Sequence, residues 1–147
     1  MMSRILLITI VLFNLLHAFS SAYAQILEVK VNITNMRSQK GKILLSVFKD
    51  SKSFDDEKPY KNFVFDKNHL TSGSLTVICS LEQGTYGFTL VDDENNSNEL
   101  DKNMIGMPKE GFGFSNFFLE KLQKPSFDEF KFDLKSNRTI IIKIKYL

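Results

Sequence analysis

From residue 26 onward, apolar and polar residues alternate. In "ILEVKVNIT" (residues 26–34), Leu27, Val29, Val31 and Ile33 share one face, and Glu28, Lys30 and Asn32 share the other. "RTIIIKIKYL" repeats the pattern near the other end, with Ile140, Ile142, Ile144 and Tyr146 in step against Lys143 and Lys145. A period of two puts one face on a core and the other in water, which predicts strands of an antiparallel sheet. Residues 42–49, 61–66, 74–80, 85–92 and 126–134 read as further strands. "SQKG", "TSGS" and "EQG" supply turn residues between them. The polar stretch 50–60 has room for a short helical turn. No long helical period appears after residue 25. About seven to eight short strands with regular turns predict an all-β fold: a single antiparallel β-sandwich of immunoglobulin-like or prealbumin-like type.

The first 24 residues do not belong to that pattern. Arg4 precedes an apolar run, Ile5 to Leu16, broken only by Thr9 and Asn14. Ala22-Tyr23-Ala24 follows, with small residues where a signal peptidase reads. Residues 1–24 are therefore expected to be a secretory signal peptide, with residues 25–147 as one domain. The run is short for a membrane span of roughly 20 residues, which disfavours an uncleaved anchor. The expected address is periplasmic or extracellular, with no transmembrane segment after cleavage.

Charge and cysteine narrow the picture further. Beyond residue 24 there are 18 basic and 17 acidic residues, a balance that argues against a nucleic-acid partner. Cys79 is the only cysteine, so no internal disulfide is available. Its place in the alternating run "SLTVICS" predicts a buried structural thiol.

Two segments carry candidate chemistry. In "DENNSNELD", side-chain oxygens recur at Asp93, Asn95, Ser97, Glu99 and Asp101. A loop that curls round a cation aims alternate side chains inward, and calcium takes six to eight hard oxygens. Asn98 stands where an EF-hand-like loop has glycine, and asparagine is the next best residue for a left-handed backbone. The twelfth position, Met104, is no ligand. Glu110 supplies the missing acid if the chain folds back. The competing expectation is a solvated turn, where Asn, Asp and Ser collect by bonding local backbone.

The second segment is "EGFGFSNFF", residues 110–118. Phe112, Phe114, Ser115, Asn116 and Phe117 form a candidate loop for a small hydrophobic ligand, a lipid or an envelope protein. The competing expectation is that the phenylalanines plug the core and the glycines permit the turns. Catalytic residues are not evident. His69 is the only histidine after residue 24, no nucleophile elbow is present, and zinc would need more His or Cys. An envelope hydrolase survives only as a weak alternative resting on His69.

"LEQGTYGFTLVDDENNSNELDKNMIGMPKEGFGFSN", followed by "KPSFDEFKFDL", resembles a family of exported bacterial proteins known as domain of unknown function 2141. The resemblance is sharp from Leu81 to Phe132. It implies an exported sandwich of uncharacterised role. The stretch also looks like loops of prealbumin-like and carboxypeptidase-regulatory-like surface domains, some of which bind calcium. Asp93, Asn95 and Asp101 match the family's acidic loop. Asp92 stands where the family usually has histidine, Asn96, Ser97 and Asn98 replace its Gly-Asn-Gly, and Phe112 replaces a tyrosine. The expected protein is a non-catalytic binding or structural module of the cell envelope, with a calcium-stabilised loop as a candidate feature.

Overall fold

A computed structural model describes residues 25–121 and 123–147. The expected signal peptide lies outside the described residues. Eight strands form in chain order: β1 Ile26–Thr34, β2 Lys42–Phe48, β3 Lys61–Asp66, β4 Leu75–Glu82, β5 Gly84–Asp93, β6 Gly111–Phe114, β7 Phe132–Leu134 and β8 Arg138–Lys143. One sheet has the order β4-β1-β8, and the other has β3-β2-β5-β6, with β7 also on β5. The pairs are antiparallel except β1 with β8, which run parallel from Val29↔Arg138 to Thr34↔Lys143. The chain folds as the all-β sandwich that the alternation predicts.

The inward faces are the predicted ones. Val29, Val31, Ile33, Ile43, Leu45, Val47, Phe88, Ile140, Ile142 and Ile144 are buried in one core. Cys79 is buried among them, and burial pushes its thiol up to about 12. It is therefore a protonated, inert side chain at neutral pH.

Strand β5 is the axis of the second sheet. Its first residues pair with β7, from Gly84↔Leu134 to Tyr86↔Phe132. Its later residues pair with β6, from Thr89↔Phe114 to Asp92↔Gly111. Ser115 closes the gap between these two partners. It is fully buried, its Oγ accepts from Phe88 N at 2.9 Å and donates to the Phe130 carbonyl at 2.6 Å. Asn116 then ties the segment to the other sheet, donating N–H to the Ile141 carbonyl at 2.7 Å and accepting from Ile141 N at 3.0 Å.

Residues 111 and 113 must be small. A Cβ on Gly111 would lie 2.4 Å from the Tyr146 ring, and one on Gly113 would lie 2.6 Å from Ile142. Their absence lets β6 approach the end of β8, where Phe112 and Lys145 exchange backbone hydrogen bonds of 3.0 and 2.8 Å.

Residues 126–134 differ from the single strand expected. Phe127–Phe130 is a helical turn, and only Phe132–Leu134 is strand. The reason is local: Glu129 reaches back to accept from Ser126 N at 2.7 Å, satisfying a free N–H at the helix start. The turn also buries Phe127 and Phe130 against Phe48 and Phe54 in a second apolar cluster. Phe54 comes from the other helical turn, Ser51–Asp55, inside the stretch expected to hold one.

Candidate functional site

The connections 35–41, 67–74 and 94–110 and the last residues of the chain meet at one end of the sandwich. The longest, 94–110, is an arm that leaves β5 and returns as β6.

Its root contains the predicted acidic residues. Asp93 is fully buried. Its Oδ1 accepts from Ser97 N and its Oδ2 from Asn98 N, both at 2.9 Å, and the Lys42 ammonium stands 3.8 Å away. Asn95 Oδ1 accepts from Ser97 N at 2.8 Å, and its Nδ2 donates to Asp101 Oδ2 at 2.5 Å. Asn96 and Asn98 both take positive φ, 62° and 70°, the left-handed geometry that asparagine tolerates. Glu110 does come back. It is buried and accepts from Glu94 N at 3.2 Å and Asp101 N at 3.3 Å. Burial pushes its carboxyl above the usual range, with Asp93 and Asp101 adding to the rise and the two N–H groups opposing it.

Asp93, Asn95, Ser97, Asp101 and Glu110 are thus linked in one loop. Glu99 joins through its backbone carbonyl, which accepts from Ser97 Oγ at 3.1 Å, while its side chain is exposed. Among the described residues, no three His, Cys, Asp or Glu side chains gather as a metal cluster does. The Asp93 and Glu110 oxygens are engaged by backbone N–H groups, and Asp101 Oδ2 by the Asn95 side-chain amide.

The far half of the arm is a tight hairpin. Asn103 organises it: its N–H donates to the Met107 carbonyl at 2.8 Å, and its carbonyl accepts from Gly106 N at 2.9 Å. Its Oδ1 accepts from Ile105 N at 3.0 Å and Met107 N at 2.9 Å. Met104 and Ile105 stand at the tip with relative exposures of 104% and 83%. Lys102 and Lys109 flank them, both exposed, and no acidic residue lies between.

The aromatic segment divides. Phe112 is buried, Phe114 and Phe117 are half-buried against the second apolar cluster, and Ser115 and Asn116 make the fold contacts above. Phe117 and Phe118 line a cavity of about 400 Å³ with Lys121, Lys124, Pro125 and Glu129. His69 is exposed in the turn after β3.

Beneath the arm lies a polar group that the motif reading missed. Lys67 is 2% exposed and Asp92 is fully buried. The Lys67 ammonium sits against Asp92 Oδ1 and donates to the Lys40 carbonyl at 2.6 Å. Tyr146 donates its hydroxyl to Asp92 Oδ2 at 2.5 Å, and burial, then Asp92, pushes the phenol pKa well up. The Arg37 guanidinium covers the Tyr146 ring at 4.3 Å and pairs with Glu94 at 2.5 Å. The signal was available in the alternation. Lys67 and Asp92 each continue the inward-facing row of β3 and β5 by one step, and Tyr146 continues that of β8 by two, after Ile144.

A sequence model of a bacterial family, described as an uncharacterized protein conserved in bacteria (DUF2141), matches residues 31–142. The chain belongs to the DUF2141 family. The match spans β1 to β8, and so takes in the arm, the Ser115–Asn116 stitch and both sheets. A search of the curated proteins found no match to this DUF2141 chain. A search of the solved structures found none either. No described helix of it is long and apolar enough to cross a membrane.

Proposed function

We propose that this DUF2141 chain is an exported, non-catalytic binding module that docks by the tip of the 94–110 arm onto an anionic membrane surface. The observation that carries the reading is the full exposure of Met104 and Ile105 on a hydrogen-bonded hairpin. The tip is convex and held in shape, so little ordering entropy is lost when it docks. Burying each side chain in an acyl layer is worth about 1.5–3 kcal/mol. Lys102 and Lys109 add about 1 kcal/mol each beside anionic headgroups. Together these give reversible, salt-sensitive binding rather than permanent anchoring.

Co-sedimentation with vesicles tests the proposal. The chain lacking residues 1–24 is expected to bind phosphatidylglycerol vesicles, less so phosphatidylcholine, and to release as salt rises. Met104→Ser with Ile105→Ser should abolish binding without lowering the melting temperature, since neither side chain packs on the fold. Unchanged binding by that double variant, or no binding by the parent chain, overturns the reading.

A second reading keeps calcium in the arm's root. It is favoured by the crowding of negative charge, since Asp93 and Asp101 both act on the buried Glu110. A cation taking oxygens from Asp93, Asn95, Asp101 and Glu110 would relieve that repulsion, at the cost of moving the Asn95 amide off Asp101. Bound calcium would raise stability with its concentration. Under this reading the melting temperature rises by several degrees between chelator and millimolar calcium. An unchanged value removes calcium and leaves the arm closed by its own hydrogen bonds.

A further inference from the structure

We propose that Lys67 and Asp92 condense to an intramolecular amide, a covalent cross-link between the end of β3 and the end of β5. The two side chains meet because each prolongs a core-facing row. Phe63 and Phe65 precede Lys67, and Tyr86, Phe88 and Leu90 precede Asp92. The polar pair therefore occupies core positions, with Ile43 and Gly111 as the cross-strand neighbours of Asp92.

The three groups around the Asp92 carboxyl divide the chemistry between them. The Lys67 nitrogen lies against Oδ1, next to the carbon it would attack. Tyr146 donates to Oδ2 at 2.5 Å, where negative charge grows as the carbon becomes tetrahedral, and a donor placed there lowers the barrier. The Lys40 carbonyl accepts from the lysine nitrogen at 2.6 Å and orients it.

The step balances without any added reagent. The Nζ–Cγ bond forms and the Cγ–Oδ1 bond breaks. One ammonium proton first passes to Oδ1, giving a neutral amine and a carboxylic acid. The amine lone pair then attacks Cγ, a second proton follows to Oδ1, which leaves as water, and the third remains on the amide nitrogen facing Lys40. An ammonium and a carboxylate become a neutral amide and one water. Burial supports that direction twice. Holding two charges away from solvent is costly, and the amide removes both charges. Exclusion of water also protects the product from hydrolysis.

Intact-mass measurement of the folded, purified chain decides the matter, with the N-terminus fixed by peptide mapping of the same sample. The expected mass is one water below that of the sequence, and the digest is expected to join the peptides holding Lys67 and Asp92. Lys67→Arg should restore the full mass. Tyr146→Phe should slow the appearance of the lighter species in freshly refolded protein. Recovery of the parent chain at its full sequence mass, with Lys67 cleaved normally by trypsin, overturns the proposal and leaves a buried ion pair. If the cross-link forms equally fast in Tyr146→Phe, the tyrosine has no part in the step.

Discussion

Gly41→Ala is expected to destabilise the domain by about 3–5 kcal/mol, combining left-handed strain with overpacking. Gly41 has φ +72°, and a Cβ there would lie 1.8 Å from the Asp93 carbonyl oxygen and 2.7 Å from the Glu94 Cα. Both obstacles are backbone, so no side-chain rotation relieves them. The turn before β2 is pressed against the root of the arm, with Lys42 opposite Asp93 in the ladder. Relief would have to come from separating β2 and β5 at that end. Urea unfolding should show a lower midpoint at an unchanged slope. A loss below about 0.5 kcal/mol, the ordinary range of a surface change, would show that the turn does not sit on Asp93.

Glu110→Ala is expected to cost about 2–4 kcal/mol, because two backbone N–H groups lose their acceptor in a place that water only partly reaches. The loss should concentrate in the arm: the amides of Glu94 and Asp101 should exchange far faster, while those of β1 hold. The effect also carries a pH sign. Burial raises the Glu110 carboxyl above its usual range in the folded chain. Folding therefore favours its acid form. Its contribution is fully present below the unfolded glutamate value and shrinks as pH rises through the folded one. The gap between parent and variant should be wider at pH 4 than at pH 7. A gap that narrows on acidification would mean that Glu110 is held as a carboxylate by its two N–H donors.

Much of this was legible in the sequence, and the exceptions have physical causes. The alternation located the inward residues of β1 and β8, since burial on one face leaves a clear period of two, and it gave β5 as a strand. It also placed Cys79 correctly. It did not reveal that residues 126–134 break into a helical turn, because Phe130, Phe132 and Leu134 keep a period of two that masks the i, i+3 spacing of Phe127 and Phe130, where the Ser126–Glu129 cap starts a helical turn. Nor did "GFGF" read as a strand. Its glycines are required by the close approach of β6 to β8, a property of the neighbouring sheet and not of the segment. In the arm, the spacing of the oxygens was visible, but not what they would bond. Asp93 and Glu110 turn to the arm's own backbone, and that choice depends on where the chain comes to lie. Lys67, Asp92 and Tyr146 are far apart in sequence; β3 and β5 come together on either side of β2, and the chain's end reaches them from beyond β8 in the other sheet.

The position of β5 has a mechanical consequence. The arm continues directly from this strand, so tension applied at Met104 and Ile105 runs along the strand axis. The rungs joining β5 to β2, from Phe48↔Gly87 to Lys42↔Asp93, lie across that line and are loaded in shear. They bear the force together instead of opening one after another. A domain tethered by its tip would therefore let go of the surface before its own ladder yields, and would come away folded.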